Sequence, residues 1–140
     1  FVITHSRGNS VNMNKLIIYD DFLVDIIHSL ESLTKKALNK NVSKDKIIWD
    51  PGIGFSKDTK QNLEILRNVP ILKNFEFPLL IGASRKRFIG EILNESNPKE
   101  RDIGTLGISC LCSQQNIHLV RVHNVKTNYQ VLKVSDKIFR

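Results

Sequence analysis

The chain reads as an α/β protein built on a parallel sheet. Three observations predict this. Short β-branched runs alternate with amphipathic segments four times along 140 residues, an order that implies parallel strands joined by right-handed crossovers. The strand-like runs mostly end in polar or charged residues: His5 and Ser6, Asp50, Ser84, Arg121 and His123. The apolar and charged fractions are those of a globular domain, so residues 1–140 are expected to fold as one unit.

The elements follow in order. "FVITH" is a short β-branched run and predicts a strand. After "SRGNS", Phe22, Ile26, Leu30, Leu33 and Ala37 recur at helical spacing, with Asp20 and Asp21 at the start. "KIIWDPG" predicts a second strand stopped by Pro51 and Gly52. "TKQNLEILRNV" places Leu63, Ile65, Leu66 and Val69 on a short helix. "FPLLIGAS" is a third strand, and "RKRFIGEIL" a short helix that Ser84 is expected to N-cap. "ERDIGTLGISCLCSQQ" is an apolar, glycine-containing helix expected to pack closely. "HLVRVHN" is a fourth strand. In the last helix Val125, Tyr129, Leu132, Val134 and Ile138 form the expected packing face.

Two architectures fit this order, an open doubly wound sheet and half of an eight-stranded barrel. In both, ligands bind at the C-terminal ends of the strands, which places the polar strand ends on one functional rim. The first residues lack an initiator Met and begin inside a strand, so the chain is expected to be the later part of something longer.

Charge and cysteine usage narrow the classes. The net charge of +7 favours anionic ligands or nucleic acid. "LTKKALNKNVSKDK" reads as a solvated helix end and loop, without the stacking aromatics of a single-strand binder. No apolar run is long enough to span a membrane. Cys110 and Cys112 are too close for a usual disulfide and lack partners for a zinc site, so buried free thiols and a cytoplasmic setting are expected.

The rim residues point to anion and polar-edge recognition. Asp50 precedes "PGIGF", where it either braces a tight turn or accepts paired N–H donors from a ligand. "GASRKRF" carries Arg85, Lys86 and Arg87 straight from a buried strand to the rim, where a substrate's negative charge would sit. Arg121 and His123 lie two apart on "LVRVHN", so both face one side and suit a phosphate or diphosphate. His5 stays open between packing and ligand contact. His118 reads as structural, and His28 has no assigned role.

Taken together, "FVITHSRGNS", "DPGIGF", "GASRKRFIG", "ERDIGTLG" and "RVHNV" resemble, in order, the second half of dihydropteroate synthase. The resemblance covers nearly the whole chain. It implies strands five to eight, with their helices, of a TIM-type (β/α)₈ barrel. It also implies folate biosynthesis: 6-hydroxymethyl-7,8-dihydropterin diphosphate joins p-aminobenzoate and diphosphate is released. Carried over by motif, Asp50 would pair with the pterin's amino-pyrimidinone edge and Phe55 would line the aminobenzoate side. Gly82 and Ser84 would shape the floor, with Ser84 near the aminobenzoate carboxylate. Lys86 would bond the pterin ring. Arg121 would lie over the pterin and reach the diphosphate, and His123 would bind the diphosphate. Lys86, Arg121 and His123 are thus the expected catalytic residues. The family uses Mg²⁺ with the diphosphate, its protein ligand belonging to the other half, and works as a homodimer.

The chain departs from the family at Thr4-His5-Ser6-Arg7-Gly8, where bacterial relatives often carry two methionines around the histidine. No binding role is assigned there. Two other classes remain: a related pterin barrel that transfers a methyl group, against which the SRK loop argues, and a non-catalytic basic α/β module binding a phosphorylated ligand or nucleic acid.

Overall fold

Four parallel strands stand side by side in chain order, with their helices on one face. The structure, a computed structural model, describes residues 1–140, the side chain of Asn14 excepted. Strand β1 (Val2–Thr4) pairs with β2 (Ile48–Asp50) in the register Val2 to Ile48 and Thr4 to Asp50. Strand β3 (Leu80–Ile81) pairs with β4 (Leu119–Val120), Ile81 opposite Val120. A parallel bridge from Trp49 to Leu79 joins the two pairs, giving the spatial order 1-2-3-4. The sequence predicts these strands correctly, each a few residues shorter than its β-branched run.

Side-chain alternation splits the sheet into two unlike faces. Ile47, Trp49, Leu79 and Ile81 point to the helices and are buried. They pack on Ile26 and Leu30 of α1 (Phe22–Leu38), Ile65 and Leu66 of α2 (Thr59–Arg67), and Val69 and Leu72 of α3 (Val69–Lys73). Phe88 and Ile89 of α4 (Arg87–Leu93) and Cys112 of α5 (Asp102–Gln114) complete the core. The opposite face carries Val2, Thr4, Asp50, Leu80 and Arg121 around an open cleft. No helix of this chain is long and apolar enough to cross a membrane among the described residues.

Local chemistry sets the helix ends. Asp21 caps α1 by accepting from the Val24 N–H. Asp58 and Gln61 form a reciprocal capping box on α2. The predicted single helix through Val69 breaks at Asn68, because Pro70 in the first turn of α3 has no N–H to continue α2.

Trp49 is the centre of the core. Its ring lies against Phe77 at 5.2 Å and Phe75 at 5.3 Å. Its indole N–H donates to the Thr34 hydroxyl at 2.9 Å. Thr34 is therefore the buried contact on α1, while Leu33, expected on the packing face, is partly exposed. Thr34→Val keeps the volume and strands a buried N–H. It should cost about 1–3 kcal/mol in denaturant unfolding, with little change in the slope.

The last helix, α6 (Val125–Phe139), corrects another expectation. Tyr129 is 64% exposed and Ile138 69%, and Val125 and Val134 are exposed too. Asn128 and Ser135 are buried instead. They face the serines and cysteine of α5: Ser109 donates to Asn128 Oδ1 at 2.7 Å, and Ser135 donates to Cys110 Sγ at 3.4 Å. Helix α6 thus docks mainly through hydrogen bonds, with only Leu132 of the expected stripe half-buried. Both cysteines are free, but only Cys112 is buried; Cys110 is half-buried.

Candidate functional site

The C-terminal ends of β2, β3 and β4 open into two adjoining clefts. One, about 700 Å³, is lined by Phe55, Gly82, Ser84, Arg85, Lys86, Arg121 and His123, with Asn97 to Lys99 at its edge. The other, about 450 Å³, lies on the open sheet face and is lined by Thr4, Ser6, Asp50, Leu80 and, again, Phe55 and Arg121. Phe55 and Arg121 form the wall between them. All seven residues expected from the sequence, Asp50, Phe55, Gly82, Ser84, Lys86, Arg121 and His123, line one cleft or the other.

Asp50 is the buried carboxylate of the open-face cleft, only 4% exposed. Its Oδ1 accepts from the Gly52 N–H at 2.8 Å, and its Oδ2 receives a long bond, 3.4 Å, from the Thr4 hydroxyl. Burial pushes its pKa above the ordinary carboxylate value; the Gly52 N–H, the charges of Arg121 and Lys86, and the Thr4 bond oppose that shift. Bracing the turn and facing the cleft are both observed, one oxygen for each. Gly52 is needed for this. It sits at φ +72°, and a Cβ there would lie 1.9 Å from the His5 carbonyl oxygen.

The cations divide by direction. Arg85 takes a left-handed φ of +59° and turns toward α5 at the margin of the larger cleft. It forms a two-pronged pair with Asp102, at 2.8 and 2.9 Å, anchoring the loop to α5. Lys86 points the other way. Its Nζ lies 4.0 Å from the centre of the Phe55 ring, and burial, then the charge of Arg121, lowers its pKa. Arg121 runs past Gly82, where a Cβ would come within 3.1 Å of its Nη2. Among the described residues, no salt bridge occupies its guanidinium.

Ser84 is not the expected helix cap. Lys86 holds the N-cap position of α4, without a side-chain bond. The Ser84 hydroxyl turns to the next strand, where it accepts from the His123 N–H at 3.2 Å and lies 3.0 Å from His123 Nδ1. With the hydroxyl donating to Nδ1, the ring carries its hydrogen on Nε2 and can donate it into the cleft. Arg121 and His123 follow the end of β4, and the Arg121 N–H still donates to the Ile81 carbonyl at 3.0 Å. His118 is structural as expected: its Nδ1 accepts from the Leu79 N–H at 3.1 Å.

Sequence reasoning missed Lys57. It is 3% exposed, beneath the Pro51–Ser56 turn that presents Asp50 and Phe55. Its only sequence signal is a lysine following an apolar D-P-G-I-G-F turn. Its partner His5 is fully buried against it, so packing, not an open rim, claims His5.

Residues 1–123 match the family model described as pterin binding enzyme. A dihydropteroate synthase of Synechocystis is 40% identical over 139 residues, which is 99% of this chain and 48% of that protein. The structure of the Yersinia pestis dihydropteroate synthase with a sulfonamide drug complex superposes with a TM-score of 0.93 at 31% identity, over 98% of this chain and 50% of that one. Structures of the Thermus thermophilus enzyme in complex with 6HMPPP and with 4-aminobenzoate each give a TM-score of 0.92 at 28% identity, over 99% of this chain and 55% and 56% of theirs. The chain spans about half the length of the relatives it matches. The buried carboxylate, the D-P-G-I-G-F turn that holds it and this family match agree: the chain belongs to the pterin-binding enzymes.

Proposed function

We propose that this chain supplies strands five to eight of a (β/α)₈ barrel, and with them half of a dihydropteroate synthase site. Consecutive parallel order, helices on one face and an open face carrying the strand-end cleft support the barrel reading. The observation that carries the function is the pair of clefts sharing Phe55 and Arg121. A reaction joining two small molecules needs two adjoining subsites with the leaving group at their junction.

In this reading the pterin occupies the cleft of Asp50, whose free lone pairs accept the N–H donors of its amino-pyrimidinone edge. Lys86 bonds the pterin ring from its seat on Phe55. The p-aminobenzoate lies on the far side of Phe55, its carboxylate toward Ser84. Arg121 and His123 take the diphosphate. As the carbon–oxygen bond to diphosphate breaks, its electron pair leaves with the phosphate oxygen, and Arg121 and His123 Nε2–H stabilise that charge. The aniline nitrogen attacks the cationic methylene and then releases a proton. No protein nucleophile is required. Among the described residues no three His, Cys, Asp or Glu side chains gather as a metal site. A magnesium ion accompanying diphosphate would take its protein ligand from outside these residues, and no step here runs through it. Exposed Ile92, Ile103, Val125 and Tyr129 on the outer helices support a homodimer of the complete barrel. The cytoplasm is the proposed location.

The 140-residue chain by itself should be inactive, because half a barrel leaves its inner face and sheet edges open. Fused behind the first half of the Synechocystis relative, it should form dihydropteroate. An active fusion that loses activity on Arg121→Ala supports the reading. An inactive but folded fusion, or turnover by the isolated chain, would overturn it. The nucleic-acid alternative predicts an RNA-dependent rise in Tm, and the pterin reading predicts one with the pterin diphosphate only.

A further inference from the structure

Lys57 is a buried ammonium with a complete set of acceptors. Its Nζ lies 2.7 Å from His5 Nδ1, 3.1 Å from the Gly52 carbonyl oxygen and 2.9 Å from the Phe55 carbonyl oxygen. An ammonium has three hydrogens, and three acceptors surround it. Gly52 supplies the N–H that braces Asp50, and Phe55 is the wall between the clefts. Further bonds tie the same turn to the chain after β1: Ser56 donates to the Arg7 carbonyl at 2.6 Å, and Tyr19 donates to the Ser56 carbonyl at 2.8 Å.

We propose that Lys57 is a positioning residue, holding the Gly52–Phe55 turn in register with Asp50, and that the proton count on its nitrogen dictates which ring nitrogen of His5 carries hydrogen. This rests on the proposed pterin site only for its consequence in binding; the hydrogen-bond switch stands by itself.

The switch follows from counting hydrogens. With Lys57 charged, all three N–H bonds point outward, so His5 Nδ1 must be bare and its hydrogen sits on Nε2. A neutral amine has two N–H bonds and one lone pair. Two carbonyls can only accept, so they keep the two donors, and the lone pair faces Nδ1, which must now carry hydrogen. The balanced path passes one proton from Lys57 to Nδ1 along the 2.7 Å contact while Nε2 releases one to solvent. One proton leaves the pair, and both ends stay hydrogen-bonded.

The electrostatic surroundings put this change within reach. Burial pushes the Lys57 pKa down to about 7, helped by the charges of Arg7 and Lys86 and opposed by Asp50. Burial, then Lys57 and Arg7, holds the His5 pKa at about 3 against Asp25 of α1, so the ring stays neutral throughout. Tyr19, its ring 6.0 Å from that of His5, has a pKa raised by burial and stays neutral as well.

The test is imidazole ¹⁵N NMR on the complete barrel carrying this chain, from about pH 5.5 to about pH 8.5. The His5 signals are assigned by comparison with His5→Gln. The expected result is a bare Nδ1 and protonated Nε2 at the acid end, exchanging places near neutrality, with the Gly52 amide and the Phe55 ring signals moving at the same midpoint. One tautomer across the range overturns the switch. Gly52 and Phe55 signals that ignore the His5 midpoint overturn the positioning role. Lys57→Met should abolish the exchange, raise the His5 pKa and weaken pterin diphosphate binding about tenfold. If wild-type protein shows the exchange but binds no pterin diphosphate, the proposed function fails and the Lys57 inference survives.

Discussion

Arg121→Ala in the complete barrel should lower kcat by roughly 30- to 1,000-fold, about 2–4 kcal/mol of barrier. The size follows from timing. In the proposed reaction the diphosphate gains charge only as the bond breaks, so a guanidinium on it contributes most in the transition state. Arg121 suits this because no carboxylate pairs with it among the described residues, and Gly82 leaves room for its planar head. Arg121→Lys should recover part of the rate, keeping the charge and losing the fork. Lys86 provides the contrast. Its ammonium rests on the Phe55 ring, so Lys86→Ala should raise KM as well as lower kcat. Diphosphate alone, as an inhibitor, should bind much more weakly to the Arg121 variant and only modestly more weakly to the Lys86 variant. Equal losses would replace the assigned geometry with a diffuse basic patch.

Asp50→Asn should weaken pterin binding by about 2–4 kcal/mol while leaving the fold as stable as before, or more so. The binding loss is geometric. The Gly52 N–H claims one oxygen at position 50, at 2.8 Å. An amide gives Gly52 its only oxygen and turns its NH₂ toward the ligand's N–H donors, donor against donor. The stability effect has the opposite origin. Burial raises the Asp50 pKa above its ordinary value of 3.8, so ionising it costs more in the folded chain than in the unfolded one. That penalty is absent at low pH, where both states are protonated, grows as pH rises from the unfolded value to the raised folded value, and is complete above it. An uncharged amide removes it. Calorimetry for binding and thermal unfolding at neutral pH test both halves; an unchanged affinity would take Asp50 out of the site.

Much of the fold and the rim was legible in the sequence. "FVITH", "KIIWDPG", "FPLLIGAS" and "HLVRVHN" read as strands because β-branched and apolar runs report their own burial. The end of each strand carries its chemistry, so Asp50, Ser84, Arg121 and His123 could be named. The three consecutive cations of "SRKRF" could be located but not sorted. Only the left-handed turn at Arg85 and the carboxylate of Asp102, seventeen positions along the chain, tie Arg85 to α5 while Lys86 rests on the Phe55 ring. Ser84 looked like a helix cap because caps are read from neighbours in sequence, yet its bonds reach His123, 39 residues away.

The same division explains the last helix and Lys57. The apolar spacing of α6 was real, but which stripe is buried depended on what α5 offers, and Ser109 and Cys110 offer polar contacts to Asn128 and Ser135. A lysine in a loop is ordinarily solvated. Lys57 is buried because parallel pairing of β1 with β2 brings the His5 ring, 52 residues away, over the turn that Gly52 and Phe55 make. The sequence by itself determined what each segment could be, since periodicity, capping and turn chemistry act between neighbours a few residues apart. Tertiary structure alone decided which polar groups are buried, paired or left facing the clefts, because the energy of a charge depends on partners that only the sheet register brings within hydrogen-bond reach.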